Sequence, residues 1–170
     1  MKSWPEPAAG DIVWCHFPDN VHPKPKPRPA LILVTKVDDE GVIFTSVAYG
    51  TSQKTNRLYR GEFRISKAEH PVAYASAGLS YDTKFNLRHL LELPFNDAYF
   101  SVPPHAPHGQ SPKLGILHPS MVRVAAAAHA GLAREGWDGP KAHPRSAHRQ
   151  SGGGSRPVHP PSSSHAPRSR

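Results

Sequence analysis

Four prolines within nine residues impose the strongest local constraint on this chain. The segment 21–29 has the sequence VHPKPKPRP. Each proline lacks a backbone N–H donor and has a fixed φ, so the segment can form neither a helix nor a central strand of a sheet. We therefore expect an exposed, semi-extended loop that carries Lys24, Lys26 and Arg28.

Strand-like runs lie on both sides of this loop. Residues 12–17 (IVWCHF) are rich in β-branched and aromatic side chains, and residues 30–35 (ALILVT) form a continuous apolar run. The polar segment 37–41 (VDDEG) is typical of a hairpin turn, and it leads into a third run at 42–49 (VIFTSVAY). Three strands with short, turn-rich connections predict a small antiparallel barrel or a sandwich.

The remainder of the body contains shorter signals and one clear helix. Short strand-like or apolar segments occur at 62–65, 83–87, 90–93 and 114–117. Ser66 and Glu69 have the spacing of a capping box, which favours a brief helix after 62–65. Residues 102–113 contain four prolines and predict a loop, whereas the alanine-rich segment 119–134 predicts a helix.

Composition divides the chain into a body, 1–138, and a tail, 139–170. The tail contains six Pro, four Gly, seven Ser and four His, with no Leu, Ile, Phe, Tyr, Trp or Met. So little apolar surface cannot offset the entropy of ordering, and we expect the tail to be disordered. All 13 acidic residues lie in the body, which has 15 basic residues, whereas the tail adds six basic residues and no acid. A basic, unstructured arm suits non-specific contact with phosphates, or alternatively keeps the protein soluble.

The cysteine content and the amino terminus exclude several classes of protein. Cys15 is the only cysteine, so the chain can form neither an intrachain disulfide nor a cysteine-based metal cluster. The amino-terminal sequence lacks the apolar run of a signal peptide, and no segment approaches the roughly 18 apolar residues of a membrane span. We expect a soluble, cytoplasmic protein with no metal site and no cofactor.

Three segments, in the same order, resemble the MazF/PemK family of toxin endoribonucleases over residues 10–54. Residues 10–14 (GDIVW) are similar to the opening strand of that family. Residues 28–33 (RPALIL) are similar to the strand that follows its variable loop, and residues 50–52 (GTS) follow a strand as its P-x-T-S segment does. The resemblance implies an SH3-like barrel that pairs as a homodimer. It also implies metal-independent cleavage of single-stranded RNA, which leaves a cyclic phosphate and a 5′-hydroxyl.

The resemblance also implies which residues carry the chemistry. Arg28 stands at the position of the family's catalytic arginine, Thr51 at that of its catalytic threonine, and Ser52 supplies a neighbouring hydroxyl. A planar guanidinium matches two phosphate oxygens and stays charged at every relevant pH. The ordinary alternatives are a solvated arginine in a basic loop and a Thr-Ser turn.

The chain departs from the family pattern in two places near these residues. Tyr49 and Gly50 replace an apolar residue and a proline, and the loop 18–27 is built from Pro and Lys. Some relatives carry a histidine in this loop as a proton carrier. His16 and His22 both lie near it here, and we assign the role to His22. Because the chain has 12 histidines, one near an active loop is also expected by chance.

Basic residues near the three segments are candidates for binding RNA. They are Lys24, Lys26, Lys54, Arg57 and Arg60. Tyr49 and Tyr59 lie among the last three, and alternating aromatic and basic side chains can line a groove for a single strand. A surface loop after a barrel strand explains the same pattern.

Two functions are consistent with these observations. The first is an RNA-cleaving toxin, which implies a cognate antitoxin whose acidic, apolar segment occupies the basic cleft. The second is a non-catalytic SH3-like module that binds nucleic acid or a protein. The body's small excess of positive charge and the change at Tyr49-Gly50 favour the second function, whereas the presence of both Arg28 and Thr51 favours the first.

Overall fold

The computed structural model describes residues 4–19, 21–22 and 24–133, together with the backbone of 141–142. In this part of the chain there are seven strands and two helices. They are β1 (Asp11–Cys15), β2 (Arg28–Val37), β3 (Ile43–Thr51), β4 (Glu62–Ile65), α1 (Pro71–Ser76), β5 (Thr83–Pro94), β6 (Lys113–Ile116), α2 (Pro119–Ala133) and β7 (Lys141–Ala142).

The strands form one curled sheet in the order β4-β5-β3-β2-β1-β6, and every neighbouring pair in this order is antiparallel. Strand β7 adds a two-residue parallel pairing to β5. The predicted mainly β fold with a minor helical part is confirmed, as a curled antiparallel half-barrel. Strands β4 and β6 are its two edges, so the sheet is open between them.

The C-terminal end of α1 packs against β6 at this opening. A Cβ atom on Gly115 of β6 would overlap the backbone carbonyls of Ser76 and Ala77. Only glycine allows so close an approach of the two backbones. The helix therefore helps to close the barrel where no strand pairs.

Both faces of the central strands are buried, which explains the continuous apolar run in β2. Alternate side chains belong to two separate clusters, with Leu31 in the first and Ala30 and Ile32 in the second. The first cluster includes Met121 and Leu132 of α2. The second is completed by aromatic residues that follow β5, among them Phe100, which is fully buried. Strands that are covered on both sides lose the polar alternation of a half-exposed strand.

Several segments predicted from the sequence are confirmed with small changes in their bounds. Strand β4 has the predicted range, and α2 ends one residue before the predicted end. The two segments predicted at 83–87 and 90–93 form one strand, β5, whose pairing with β3 shifts register at Ala48/Tyr49. The Ser66 hydroxyl accepts a hydrogen bond from the Glu69 N–H (3.1 Å), as in a capping box, but α1 begins only at Pro71.

One prediction about the proline-rich segment was wrong. Arg28 and Pro29 were expected in the exposed loop, yet they are the first two residues of β2, which lies between β1 and β3. Pro29 is tolerated there because its partner Trp14 directs its own N–H and C=O to Pro112 and Ser101 instead. The ladder with β3 begins only at Ala30, so no N–H is required from Pro29.

Most of the predicted disordered tail, including 143–170, lies outside the described residues. None of the described helices combines the length and apolar character needed to cross a bilayer.

Candidate active site

Arg28 and Thr51 lie at the same end of two neighbouring strands. Arg28 begins β2 and pairs with Cys15 of β1. The register of β2 with β3 pairs Ala30 with Tyr49, and its continuation by two residues places Arg28 opposite Thr51, the last residue of β3. Residues that are opposite one another in an antiparallel pair point to the same face of the sheet. The two side chains therefore lie on the same face of the sheet, at the same end of β2 and β3.

The Thr51 hydroxyl is already oriented by a local hydrogen bond. Its Oγ1 accepts from the backbone N–H of Gln53 (3.1 Å), which forms the turn after β3. Because this bond occupies an acceptor position, the hydroxyl proton remains able to donate to another group. The Thr-Ser turn, which was the alternative interpretation of these residues, thus also leaves the Thr51 hydroxyl free to act as a donor.

Two cavities meet at Arg28. The first, which we call the Trp14 cavity, has a volume of about 370 Å³ and is walled largely by apolar residues, among them Trp14, Pro29, Leu79 and Leu114. Arg28 and Ser52 contribute polar groups to it, and so does His105 from the loop before β6. Thr51 does not line this cavity, although its neighbours Gly50 and Ser52 do.

The second cavity, which we call the Tyr49 cavity, has a volume of about 470 Å³. Its walls include Arg28, His22, Lys26 and the rings of Phe17 and Tyr49, which meet edge to face with centroids 4.9 Å apart. Aromatic rings beside cations can bind the base and the phosphate of a nucleotide at the same time. Arg28 is therefore brought together with Ser52 on one side and with His22 and Lys26 on the other.

Asp19 shapes the loop that carries His22. Its Oδ1 accepts the backbone N–H groups of His22 (2.5 Å) and Val21 (2.8 Å). These two hydrogen bonds hold the pKa of the Asp19 carboxyl below its usual value, the bond from His22 having the larger effect. The ionised carboxylate thus fixes the turn that presents His22 to the Tyr49 cavity.

His16 attaches the same loop to the body. The ring is buried, and its Nδ1 lies 2.6 Å from the Pro25 carbonyl oxygen while its Nε2 lies 3.0 Å from the Ser101 hydroxyl. The nitrogen next to the carbonyl must donate, so the other nitrogen accepts from Ser101 in the neutral ring. His16 therefore positions the loop and is not directed into either cavity.

Cys15 is next to Arg28 across the strand pair but is not a candidate nucleophile. Its side chain is fully buried, and burial raises the pKa of the thiol far above its usual range. A neutral thiol is a poor nucleophile and a poor metal ligand. The reactive groups at this end of the sheet are thus the guanidinium, the hydroxyls and the histidines.

The remaining predicted RNA-binding residues lie around the site rather than in the cavities. The Lys24 ammonium donates to the Asp97 carbonyl (3.5 Å), and Lys54 is exposed at a left-handed turn with φ of 49°. The Arg57 guanidinium stacks over the Tyr59 ring, 5.2 Å from its centroid. Arg60 lies beside α2, because a Cβ atom added to Gly131 of that helix would lie 3.8 Å from the Cγ of Arg60. The structure therefore separates Arg60 from the cavities.

Lys84 is a buried cation whose burial no pattern in the sequence predicted. It pairs with Thr51 across β3 and β5, and its ammonium donates to the Glu62 carboxylate and to the Arg57 carbonyl, each at 2.9 Å. The ammonium also lies 5.3 Å from the centre of the Tyr59 ring. The only signal in the sequence is a lysine within the strand-like run TKFNL, which alone does not indicate burial.

Comparison with known families agrees with this geometry. The family model of PemK-like, MazF-like toxins of type II toxin–antitoxin systems matches residues 8–93, just over half of the chain. The matched region includes Arg28, Thr51 and Ser52 and ends within β5. A search of curated proteins found no match. The matched segments fold into a curled antiparallel sheet that places these residues at the same end of β2 and β3. The chain therefore belongs to the PemK-like, MazF-like family of toxins of type II toxin–antitoxin systems.

Proposed function

We propose that this protein is a metal-independent endoribonuclease that cleaves single-stranded RNA. One observation carries the proposal: a guanidinium on a central strand, Arg28, borders two cavities and shares its face of the sheet with the oriented hydroxyl of Thr51. An arginine in that position can hold a phosphodiester whose flanking nucleosides extend into the cavities.

The reaction needs no external nucleophile. The ribose 2′-oxygen forms a bond to the neighbouring phosphorus, and the bond from phosphorus to the 5′-oxygen breaks. One proton leaves the 2′-hydroxyl and one is delivered to the 5′-oxygen, so that the products are a 2′,3′-cyclic phosphate and a 5′-hydroxyl. The protein must therefore supply proton transfer and stabilise charge on the phosphoryl oxygens.

Each candidate residue has a role in this step. Arg28 binds two phosphoryl oxygens through its planar fork, and the charge that develops on them strengthens this contact in the transition state. Thr51 donates its hydroxyl proton to one of those oxygens, and Ser52 provides a second hydroxyl at the wall of the Trp14 cavity. His22 takes part in proton transfer from the Tyr49 cavity, where Lys26 binds a neighbouring phosphate.

Basic residues outside the cavities extend the RNA-binding surface. We assign this role to Lys24, Lys54 and Arg57, and, more distantly, to Arg60. The Arg57–Tyr59 stack offers both a cation and an exposed ring to a flanking nucleotide. Contacts of this kind are sequence-tolerant, so they set affinity rather than the cleavage motif.

Membership of a type II toxin–antitoxin family implies an antitoxin partner. We propose that this partner inserts an acidic, apolar segment across the same basic cavities and thereby excludes RNA. We also propose that the toxin acts in the cytoplasm as a homodimer.

End mapping of cleaved RNA tests the proposal. Purified protein is incubated with mixed-sequence RNA in EDTA, and the new ends are analysed for cyclic phosphate and 5′-hydroxyl. An Arg28→Ala preparation, purified in parallel, controls for contaminating ribonucleases. We expect wild-type protein alone to produce those ends. RNA that is bound but never cut would reject the enzyme and favour a non-catalytic binding module.

A further inference from the structure

The loop at 102–111 is fastened at both ends to a single residue of β1. The Ser101 N–H donates to the Trp14 carbonyl (3.2 Å), and the Trp14 N–H donates to the Pro112 carbonyl (2.8 Å). Trp14 is also a wall of the Trp14 cavity. The loop therefore lines the Trp14 cavity, and β1, which lines the same cavity through Trp14, holds the loop in place.

The loop is also stiffened internally. The Ala106 N–H donates to the Pro103 carbonyl (2.9 Å), and the Gly109 N–H donates to the Ala106 carbonyl (3.0 Å), so two turns follow one another. Ala106 has φ of 41°, in the left-handed region that residues with a Cβ rarely adopt. Prolines at 103, 104 and 107 restrict the backbone further. A loop with so few accessible conformations presents its side chains in a fixed arrangement.

Of the two histidines in this loop, only one faces the candidate active site. His105 lines the Trp14 cavity together with Arg28 and Ser52. His108 lines a different cavity, whose walls include Asp11 and Lys113. The charged and titratable side chains that line the Trp14 cavity with His105 are Arg28 from β2 and Tyr81 from the segment before β5, and no described carboxylate lines it.

We propose that His105 is a proton-transfer residue of the ribonuclease, an inference that rests on the proposed function. Of the side chains that line this cavity, imidazole is the one best suited to exchange protons near neutral pH. Residue 105 lies beyond the part of the chain that the family model matches, 8–93. This proton carrier is thus supplied by a segment outside the matched region.

The two histidines line different cavities that share Arg28, an arrangement that suits the geometry of the reaction. In an in-line displacement the attacking and leaving oxygens lie on opposite sides of the phosphorus, so two proton carriers are needed on opposite sides. His22 lines the Tyr49 cavity, His105 lines the Trp14 cavity, and Arg28 belongs to both. One histidine accepts the proton of the 2′-hydroxyl, and the other donates a proton to the departing 5′-oxygen.

The two histidines of the loop provide a test with an internal control. Full-length wild-type protein, His105→Ala and His108→Ala are compared for kcat and KM on one RNA oligonucleotide between pH 5 and about 9, a range that spans histidine ionisation. We expect His105→Ala to lose about 10²-fold or more in kcat, with KM little changed, and to lose one limb of the pH profile. His108→Ala should stay within about twofold of wild type, because its side chain lies outside the cavity.

Chemical rescue separates proton transfer from a structural effect. Because His105 is exposed at the cavity, added imidazole can enter the space left by His105→Ala and should restore part of its rate, while Arg28→Ala gains nothing. Equal rates for wild type and His105→Ala, equal losses in both histidine variants, or a loss that imidazole does not relieve would each overturn the proposal. Wild-type protein that cuts no RNA would instead reject the proposed ribonuclease itself.

Discussion

Arg28, the proposed phosphate-binding residue, has an unusual structural position, because it begins a central strand and remains half-buried. Arg28→Ala should lower the rate of RNA cleavage by about 10²–10³-fold, the usual loss when a donor to developing charge is removed. Arg28→Lys should recover only part of this loss, because an ammonium lacks the planar fork. Thr51→Val should lose less than Arg28→Ala. Rates are measured on one oligonucleotide at saturating and at limiting concentration.

Lys36 provides the control for these substitutions. It lies near the other end of β2, and its ammonium pairs with Glu92 at 3.1 Å on the surface. Lys36→Ala should cleave RNA as fast as wild type. If Arg28→Ala cuts as well as wild type, or if Lys36→Ala loses as much, Arg28 has no special role in the reaction.

The packing around residue 50 explains why a glycine stands there, which is one of the departures from the family pattern. A Cβ at this position would lie 2.5 Å from the Pro29 carbonyl oxygen and 2.9 Å from the Phe85 ring. Gly50→Ala should therefore lower the free energy of unfolding by about 1–3 kcal/mol, as overpacking of a core usually does, and should displace Pro29 and so weaken cleavage. Denaturant unfolding and cleavage assays on the same samples measure both effects.

Gly131 is the matched control for this substitution. A Cβ there meets only the Arg60 side chain, at an ordinary 3.8 Å, and the residue lies within α2. Gly131→Ala should leave stability unchanged or raise it by up to about 1 kcal/mol. A Gly50→Ala variant as stable as Gly131→Ala would show that the backbone near Pro29 can move to make room for a Cβ at little cost in stability.

The buried pair of Lys84 and Glu62, whose side chains are 7% and 9% exposed, joins β5 to β4, and Lys84 also donates to the Arg57 carbonyl in the loop after β3. Loss of one partner leaves a buried, uncompensated charge, so Lys84→Met should lower the free energy of unfolding by about 3–5 kcal/mol. Lys36→Met removes an exposed ion pair, that of Lys36 with Glu92, and should change the free energy of unfolding by about 1 kcal/mol at most. Urea unfolding of the two variants gives the comparison. Similar values would mean that burial adds little to the Lys84 pair.

The strands could be predicted from the sequence to different degrees, because only some of their determinants are local. The hairpin of β2 and β3 and the helix α2 follow from apolar runs, turn residues and alanine content, which act over a few neighbouring residues. The burial of Phe100 in the second cluster depends on a segment folding back across β1, which no short-range pattern encodes. The presence of Pro29 in β2 depends on its partner Trp14 making its backbone hydrogen bonds to Pro112 and Ser101, which is a tertiary condition.

Most of the candidate site was predicted from the resemblance to the family. Arg28, Thr51, Ser52 and His22 were predicted in this way, whereas Lys26 was predicted from its place in a basic loop, and the hairpin places Arg28 and Thr51 at the same end of β2 and β3. His105 is one histidine among 12, and only the folded loop shows that it shares a cavity with Arg28. Proximity between residues so far apart in sequence is a property of the fold.

At the scale of the whole molecule, the distribution of charge separates the tail from the body. The tail supplies six of the 21 basic residues and no acid. Truncation after residue 138 should leave the melting temperature within a few degrees, since it removes little apolar surface and, in the part of the tail that the structure describes, the two-residue pairing of β7. If the tail contacts RNA, the salt dependence of binding should become shallower in the truncated protein. A large fall in melting temperature would show that the tail docks on the body.

The double attachment of the 102–111 loop to Trp14 has a consequence for how the proposed site can diversify. Insertions, deletions and substitutions between the two hydrogen bonds alter the roof of the Trp14 cavity while the strand beneath keeps its partners. Surface loops tolerate such changes far better than strands do. For the proposed ribonuclease, a library randomised in this loop at every position except His105 would therefore test whether the loop sets the RNA sequence that is cleaved while Arg28 stays unchanged.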